Sequence, residues 1–322
     1  MNPSTVEPEH SVMRMVAVTG ASGFLGRQVV GKLAASGYRV RALTRAGGGI
    51  ASAAETIATG DIVEADLEGL VAGCDAVVNC TARVHILRRE DPAFAERQYR
   101  RINGEFPLRL AEVARRAGAR RFVQISSVAA VMSQTPAGSV VDDGCPPEPT
   151  TPYGSSKLLA DIGLAQLDRE GFRTVSLRPP ALIGPGVTAW FAALVKAARI
   201  AVPLPIGRID NRRSFAFVGN VASSVVAAVE QEHSGCFIVT DSVPLSTASL
   251  YRKLLMSFGH PDLVWSWPPE LVRKCAQFAL RGRADSLLGN AAFDGVRFTR
   301  LFGWAPEIPF DRAILMTTGT DE

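Results

Sequence analysis

The chain has 322 residues with a formal net charge of +4, and 47% of its residues are hydrophobic. This composition indicates a globular protein and excludes a disordered chain, which would carry few apolar residues and a high net charge. The charge is too small to predict a nucleic-acid partner, and no apolar run reaches the ~20 residues that cross a bilayer. The five cysteines are widely spaced and include no Cys-x-x-Cys pair, so we predict no metal site and a reducing, cytoplasmic location.

Strands and helices alternate along the first half of the sequence. Residues 1–13 predict a flexible tail without the apolar centre of a signal peptide. Short β-branched runs predict strands at residues 15–19, 39–44, 75–80, 121–126 and 174–178. Amphipathic stretches predict helices at residues 25–35, 105–117 and 155–170. This alternation is typical of an α/β fold with a Rossmann-type, doubly wound parallel sheet.

The pattern changes after residue 178, where prolines and glycines interrupt it and the segments become shorter. A strand near residues 236–240 returns to the main sheet. We therefore predict a dinucleotide-binding domain over residues 14–178. Residues 179–322 are predicted to form mainly a smaller C-terminal substrate lobe that is interleaved with it.

A glycine-rich turn follows the first predicted strand, where residues 19–26 read TGASGFLG. A tight turn, close approach of a pyrophosphate and close helix packing each require a residue without a side chain, and the helix N-terminus attracts the phosphates. The position between a strand and a helix is the context that makes a glycine triplet specific for dinucleotides. The predicted cofactor contacts in this turn are Gly20, Ser22, Gly23, Phe24, Leu25 and Gly26.

The end of the second strand indicates which dinucleotide is bound. An acidic residue there would bond the ribose 2′-hydroxyl, but this chain has Thr44 and Arg45, with Arg41 nearby. Because a guanidinium binds phosphate well, NADP(H) is favoured over NAD(H). Further along, Asp61 and Ile62 are predicted to contact the adenine, with a turn role for Asp61 as the alternative.

Tyr153 and Lys157 lie four residues apart after Pro152, which predicts a helix start and places both side chains on one helix face. A tyrosine with a pKa of ~10 becomes a useful acid or base when a nearby ammonium lowers that pKa. Ser127 ends the fourth long strand, where ligands of such sheets bind. We predict that Ser127 holds a substrate oxygen, with Ser126 as the alternative, and that the three residues support hydride transfer.

The combination of TGASGFLG, ISSV, YGSSK and RPPALIGPG resembles the extended short-chain dehydrogenases, the NAD-dependent epimerase/dehydratase family. The resemblance runs from about residue 15 to about residue 311. It implies an NAD(P)-dependent enzyme with Ser127, Tyr153 and Lys157 as its catalytic triad, often a homodimer. It also implies that Asn103 supports the active site, and it places further cofactor contacts at Thr81, Ala82, Lys157 and Pro180.

Two further segments make the chain similar to bacterial UDP-hexosamine 4-epimerases and 4-ketoreductases of surface-polysaccharide pathways. The first is TARVH with Arg83, and the second is NRRSF, in which Arg213 is implied to bind a nucleotide-sugar diphosphate. The missing acid after the second strand favours a 4-ketoreductase of a UDP-4-keto-6-deoxy-N-acetylhexosamine over a UDP-sugar 4-epimerase. A reductase of a non-sugar ketone and a non-catalytic dinucleotide sensor are the remaining alternatives.

Overall fold

The computed structural model describes residues 14–84, 90–241, 243–279 and 284–321. The predicted tail over residues 1–13 lies outside the described residues. Within them a single seven-stranded parallel sheet forms the centre of the molecule, in the order β3-β2-β1-β4-β5-β6-β9. The strands of this sheet are β1 (Met15–Thr19), β2 (Arg39–Thr44), β3 (Glu55–Ala58), β4 (Ala76–Asn79), β5 (Arg121–Ile125), β6 (Arg173–Arg178) and β9 (Gly235–Ile238).

Helices cover both faces of this sheet and continue into the C-terminal half. They are α1 (Phe24–Ala35), α2 (Leu67–Val71), α3 (Pro92–Tyr99), α4 (Phe106–Arg116), α5 (Pro152–Leu167), α6 (Ala189–Arg199), α7 (Val218–Glu230), α8 (Thr247–Ser257), α9 (Pro269–Ala279), α10 (Asp285–Leu288), α11 (Val296–Phe302) and α12 (Phe310–Thr318). The predicted doubly wound fold is therefore confirmed. Within the described residues, no helix is long and apolar enough to span a membrane.

The core has two layers, one on each face of the sheet. The side chains of β1 from residue 16 onward have no solvent exposure, which is why this strand reads as a continuous apolar run rather than an alternating one. On one face, Val16 and Val18 pack with α1 and α7; on the other, Ala17 packs with the buried residues of α4. The sheet is thereby fixed between helices, and the carboxyl ends of its strands form one common edge.

Helix α5 begins at Pro152 and ends at Leu167, three residues earlier at each end than the sequence predicted. The Thr151 hydroxyl accepts the Gly154 N–H at 3.1 Å, so this threonine caps the helix and the proline occupies the first turn. At the other end Asp168 leaves the helical conformation, and its carboxylate accepts the Thr174 N–H. The earlier start places Tyr153 in the first turn of the helix.

The C-terminal half builds a smaller lobe beside the edge where the strands end. A short parallel pair, β7 (Ala181–Ile183) and β8 (Phe215–Phe217), begins it. Asn211 is buried and holds the lobe together, because its amide donates to Thr247 and to the carbonyls of Leu287 and Gly289. β9 leaves this lobe and pairs with β6 in the main sheet.

Candidate active site

The glycine turn has the backbone geometry that a pyrophosphate site requires. Gly20 has a φ of +61°, and a Cβ at Gly26 would lie 2.2 Å from the Gly20 carbonyl oxygen. Helix α1 begins after Gly23, with no side-chain cap and no acidic residue in its first turn. Its first N–H groups and the positive end of its dipole are therefore open to an anion. These features fit the phosphates of a dinucleotide.

The arginines in and just after β2 differ in their surroundings. Arg45 is exposed, whereas Thr44 is buried and its hydroxyl has no hydrogen-bond partner in the described part of the chain. Arg41, in the middle of β2, donates to the Glu55 carboxylate at 2.7 Å and to the carbonyls of Leu70 and Ala72. Its charge is therefore already paired, whereas Arg45 at the strand end is open to a ligand.

The two predicted adenine contacts, Asp61 and Ile62, differ in their exposure to solvent. Asp61 is exposed and its carboxylate accepts the Val63 N–H at 3.2 Å, so it forms a turn and still faces solvent. Ile62 is buried and packs into the apolar layer with Val63 and Leu67. Asp61 is thus open to a ligand, whereas Ile62 serves mainly the core.

A row of buried polar side chains crosses the strand ends. The Thr19 hydroxyl donates to the Asn79 carbonyl at 2.5 Å, and the Asn79 amide donates to Gln124 at 2.8 Å. Thr81 joins the row through its hydroxyl, which donates to Thr19 at 2.9 Å. Thr19 and Gln124 were not predicted as site residues, although each is a polar residue within an apolar strand and so carried a signal in the sequence. The row fixes the strand-end segment that carries the predicted cofactor contacts Thr81 and the exposed Ala82.

Ser127 and Tyr153 meet, as the catalytic prediction requires. The Ser127 hydroxyl hydrogen-bonds the Tyr153 phenol, and it also accepts the Ala129 N–H at 3.1 Å. Ser126 takes a different direction, because its hydroxyl donates to the buried Asp161 carboxylate at 2.9 Å. Of the two serines, Ser127 is therefore the one beside the tyrosine.

Pro180, a predicted cofactor contact, is buried just after β6.

Lys157 is fully buried one turn after Tyr153, and its ammonium donates to the Ile125 carbonyl at 2.8 Å. Burial lowers the pKa of Lys157 to about 8, and the negative charge of Asp161 opposes that change. The pKa of Tyr153 is raised to about 12, chiefly by burial, although the Ser127 hydrogen bond opposes it. The expectation that Lys157 brings this pKa down is not met by the protein groups alone, because burial of the phenol outweighs them.

Aromatic and polar groups frame the tyrosine from the side of α3. The Tyr99 ring lies edge-on to the Tyr153 ring, with 5.9 Å between centroids. The Arg83 guanidinium lies 5.6 Å from the centroid of the Tyr99 ring and forms an ion pair with Glu90. Asn103, carried on a π-helical turn, exchanges hydrogen bonds with the Arg83 backbone and donates to Ser156. Tyr99 and Glu90 were not identified from the sequence, because nothing local links them to Tyr153.

Arg213 lies just before β8 in the substrate lobe and is buried. Its Nη1 atom donates to the Gly289 carbonyl at 2.8 Å, and its guanidinium lies 5.4 Å from the centroid of the Trp190 ring. Within the described residues its Nε atom has no hydrogen-bond partner, and no carboxylate there pairs with its guanidinium. Burial lowers the pKa of Arg213 to about 10. Arg213 is therefore a buried arginine and not one on a surface turn.

Comparisons with known proteins show the family to which the chain belongs. Residues 16–239 match the model of the NAD dependent epimerase/dehydratase family. A UDP-glucose 4-epimerase from Vibrio cholerae is 28% identical, covering 92% of each chain. A 3-diazoavenalumate denitrifying reductase from a Streptomyces species is 33% identical over 91% of this chain and 96% of its own.

Solved structures share the fold. The structure of MoeE5 in complex with UDP-glucose and NAD superposes with a TM-score of 0.74 at 21% identity, covering 95% of this chain and 97% of that one. At this identity the likeness shows the fold, and the family match together with the relatives shows the class of enzyme. The chain is an NAD-dependent enzyme that belongs to the NAD-dependent epimerase/dehydratase family.

Proposed function

We propose that the protein is an oxidoreductase that acts at C4 of a UDP-hexosamine, with net reduction of a UDP-4-keto-6-deoxy-N-acetylhexosamine as its favoured reaction. The observation that carries the proposal is the buried guanidinium of Arg213. The relatives named as UDP-glucose 4-epimerase and the fold shared with a UDP-glucose complex support the same substrate class.

Burying a cation without a counter-ion costs free energy, so a positively charged Arg213 in this site requires a negatively charged partner. Arg213 keeps an unpartnered Nε, and a diphosphate would accept from it with the fork geometry that guanidinium groups prefer. Trp190 beside it offers an apolar ring face in the same part of the lobe. Together these groups provide the charge and the surface that a nucleoside diphosphate requires.

The residues around Tyr153 then have distinct roles in the proposed reaction. A bound reduced nicotinamide would supply the hydride to the carbonyl carbon. Ser127 holds the carbonyl oxygen, and Tyr153 donates its proton to that oxygen as the alcohol forms. Because the pKa of Tyr153 is about 12, the phenol is protonated at neutral pH and ready to act as an acid. Lys157 carries the positive charge that stabilises the phenolate left behind.

Incubation with UDP-N-acetylglucosamine separates reduction from epimerisation. The reductase proposal predicts no galacto epimer when no dinucleotide is added, and oxidation of NADPH when a UDP-4-keto sugar is supplied. Product analysis by chromatography and NADPH absorbance provide the two measurements. Formation of the epimer without added cofactor would instead establish the 4-epimerase.

Replacing Arg213 with alanine is expected to raise the KM for the UDP-sugar and to weaken UDP binding by about 10- to 100-fold, because hydrogen bonds to charged groups contribute ~1.5–3 kcal/mol. Calorimetric titration with UDP and steady-state kinetics measure the effect. The matched control is Arg212→Ala, since Arg212 is exposed and forms an ion pair with Asp210 at the surface. Equal losses in both variants would contradict a diphosphate site at Arg213, and a melting curve separates binding from folding.

NADP(H) is the proposed dinucleotide, because Arg45 is exposed at the strand end and no acidic residue stands there. We expect Arg45→Ala to lower the kcat/KM ratio of NADPH to NADH by about 10-fold, the equivalent of one charge-assisted hydrogen bond. Arg39→Ala, an exposed arginine at the opposite end of β2, is the control. A preference for NADH in the unaltered enzyme would overturn this assignment.

A second candidate is the reduction of an apolar ketone. A cavity of about 210 Å³ lies beside the glycine turn, lined by Phe24, Ala181, Leu182, Val187, Thr188, Trp190 and Phe191. These mostly apolar walls suit a hydrophobic substrate, and the Streptomyces relative is named a 3-diazoavenalumate denitrifying reductase. Activity on such a ketone that Arg213→Ala leaves unchanged would favour this candidate.

A further inference from the structure

Asp161 is a buried carboxylate on α5, one helical turn beyond Lys157, and only 1% of its surface is exposed. Its Oδ2 atom accepts the Ser126 hydroxyl at 2.9 Å and the Arg178 Nε–H at 2.8 Å. Its Oδ1 atom is buried and has no hydrogen-bond partner in the described residues. Asp161 therefore joins the catalytic helix to the ends of β5 and β6.

A contribution to the stability of the fold does not by itself explain the buried Asp161–Arg178 ion pair. Removing two charges from water costs about as much as their mutual attraction returns, so apolar residues of similar size serve equally well. The pair is also incompletely satisfied, since one carboxylate oxygen lacks a donor. What distinguishes its position is the neighbouring ammonium of Lys157, which shares its helix face at a spacing of four residues.

The surroundings of Lys157 leave Asp161 as the main source of negative charge. Burial acts against the ammonium, and the charges that act for it are Asp161 first and then Cys80. The thiol of Cys80 is neutral at physiological pH, because burial raises its pKa to about 12. Among the described residues, Tyr153, Asp143 and Cys236 are further titratable groups that interact electrostatically with Asp161 or with its partner Arg178.

We propose that Asp161 is a positioning residue that keeps Lys157 protonated in its buried site and holds the end of β5 so that Ser127 meets Tyr153. The second role follows from Ser126, which Asp161 binds and which immediately precedes Ser127. The proposal rests on the assignment of hydride transfer to Ser127, Tyr153 and Lys157. Asp161 itself touches neither substrate nor cofactor and acts through these neighbours.

The protonation of Lys157 can be measured without any substrate. The protein labelled with ¹³C at lysine Cε is titrated by NMR, and the Lys157 resonance is assigned by its absence in Lys157→Met. The measured quantity is the pH at the midpoint of the chemical-shift change of this resonance. In Asp161→Asn this midpoint is expected to fall by about one to three pH units, because an opposite charge at close range has been removed. Asparagine keeps the shape and an acceptor for Ser126, so only the charge changes.

Asp168→Asn is the matched control. Asp168 lies at the C-terminal end of α5, and like Asp161 its carboxylate accepts hydrogen bonds from one arginine and one serine, here Arg173 and Ser234. It lies at the far end of the helix, and its loss should leave the Lys157 midpoint unchanged. If Asp161→Asn does not fold because Arg178 is left unpaired, the double variant Asp161→Asn/Arg178→Gln is compared with Arg178→Gln, so that the two proteins differ only in the charge at residue 161. A Lys157 midpoint that the loss of the Asp161 charge leaves unchanged in a folded protein would overturn the proposal.

Turnover then separates this inference from the proposed function. With NADPH and a UDP-4-keto sugar, Asp161→Asn should move the alkaline limb of the kcat profile to lower pH, because Lys157 loses its proton earlier. Asp168→Asn should retain the profile of the unaltered enzyme. If Lys157→Met is as active as the unaltered enzyme, the assignment of the site fails. If Lys157→Met is inactive but Asp161→Asn keeps the original profile and midpoint, only the role of Asp161 fails.

Discussion

Replacing Tyr153 with phenylalanine is expected to lower kcat by about 10²- to 10⁴-fold, the usual contribution of a positioned acid or base. The change removes one hydroxyl, which bonds Ser127 and would give its proton to the substrate oxygen. The ring itself remains to pack edge-on against Tyr99. The fold and the binding of the dinucleotide should therefore be retained, and only the chemical step should be lost.

Stopped-flow absorbance of NADPH under single-turnover conditions measures this loss directly. Tyr38→Phe provides the control, because Tyr38 lies in the turn before β2, far along the chain from the catalytic helix. A melting temperature and a dinucleotide affinity like those of the unaltered protein would show that the variant is folded. An undiminished rate would contradict the catalytic assignment of Tyr153.

The second large effect is expected from Gly26→Ala, which should abolish dinucleotide binding and lower the melting temperature. The added Cβ would lie 2.2 Å from the Gly20 carbonyl oxygen and 2.9 Å from the Ala21 Cα, both backbone atoms that no rotamer change can move. Either α1 must shift away from the turn or the turn must open. In both cases the N–H groups that would hold the pyrophosphate lose their alignment.

Gly31→Ala tests whether this effect belongs to the position or to the residue type. Gly31 lies in the same helix, and a Cβ there would meet no atom within 4 Å. Alanine should therefore stabilise the helix by about 0.5–1 kcal/mol, because it reduces the entropy lost on folding. Thermal unfolding and fluorescence titration with NADPH compare the two variants. Similar results for Gly26→Ala and Gly31→Ala would contradict the steric account.

Local sequence determined the parts of this protein that depend on a few neighbouring residues. Gly20 and Gly26 predict the phosphate turn, because backbone sterics exclude side chains there. Thr151 and Pro152 define the start of α5, although the predicted helix began later at residue 155. The spacing of Tyr153 and Lys157 places them on one face of that helix. The apolar runs sufficed for the central strands, since β1 and β4 are buried on both faces, whereas the edge strand β3 contains no fully buried residue.

Tertiary structure alone decided the charge and the partners of the buried groups. Ser126 and Arg178 meet Asp161 across 35 and 17 residues of sequence, and no local pattern predicts such contacts. The sequence does not distinguish the surroundings of Arg41 from those of Arg213. In the structure Arg41 is paired with Glu55, whereas Arg213 is buried and no carboxylate of the described residues pairs with it. The reason is physical: a pKa depends on burial and on charges brought close by folding, whereas a turn or a helix start depends on the adjacent backbone.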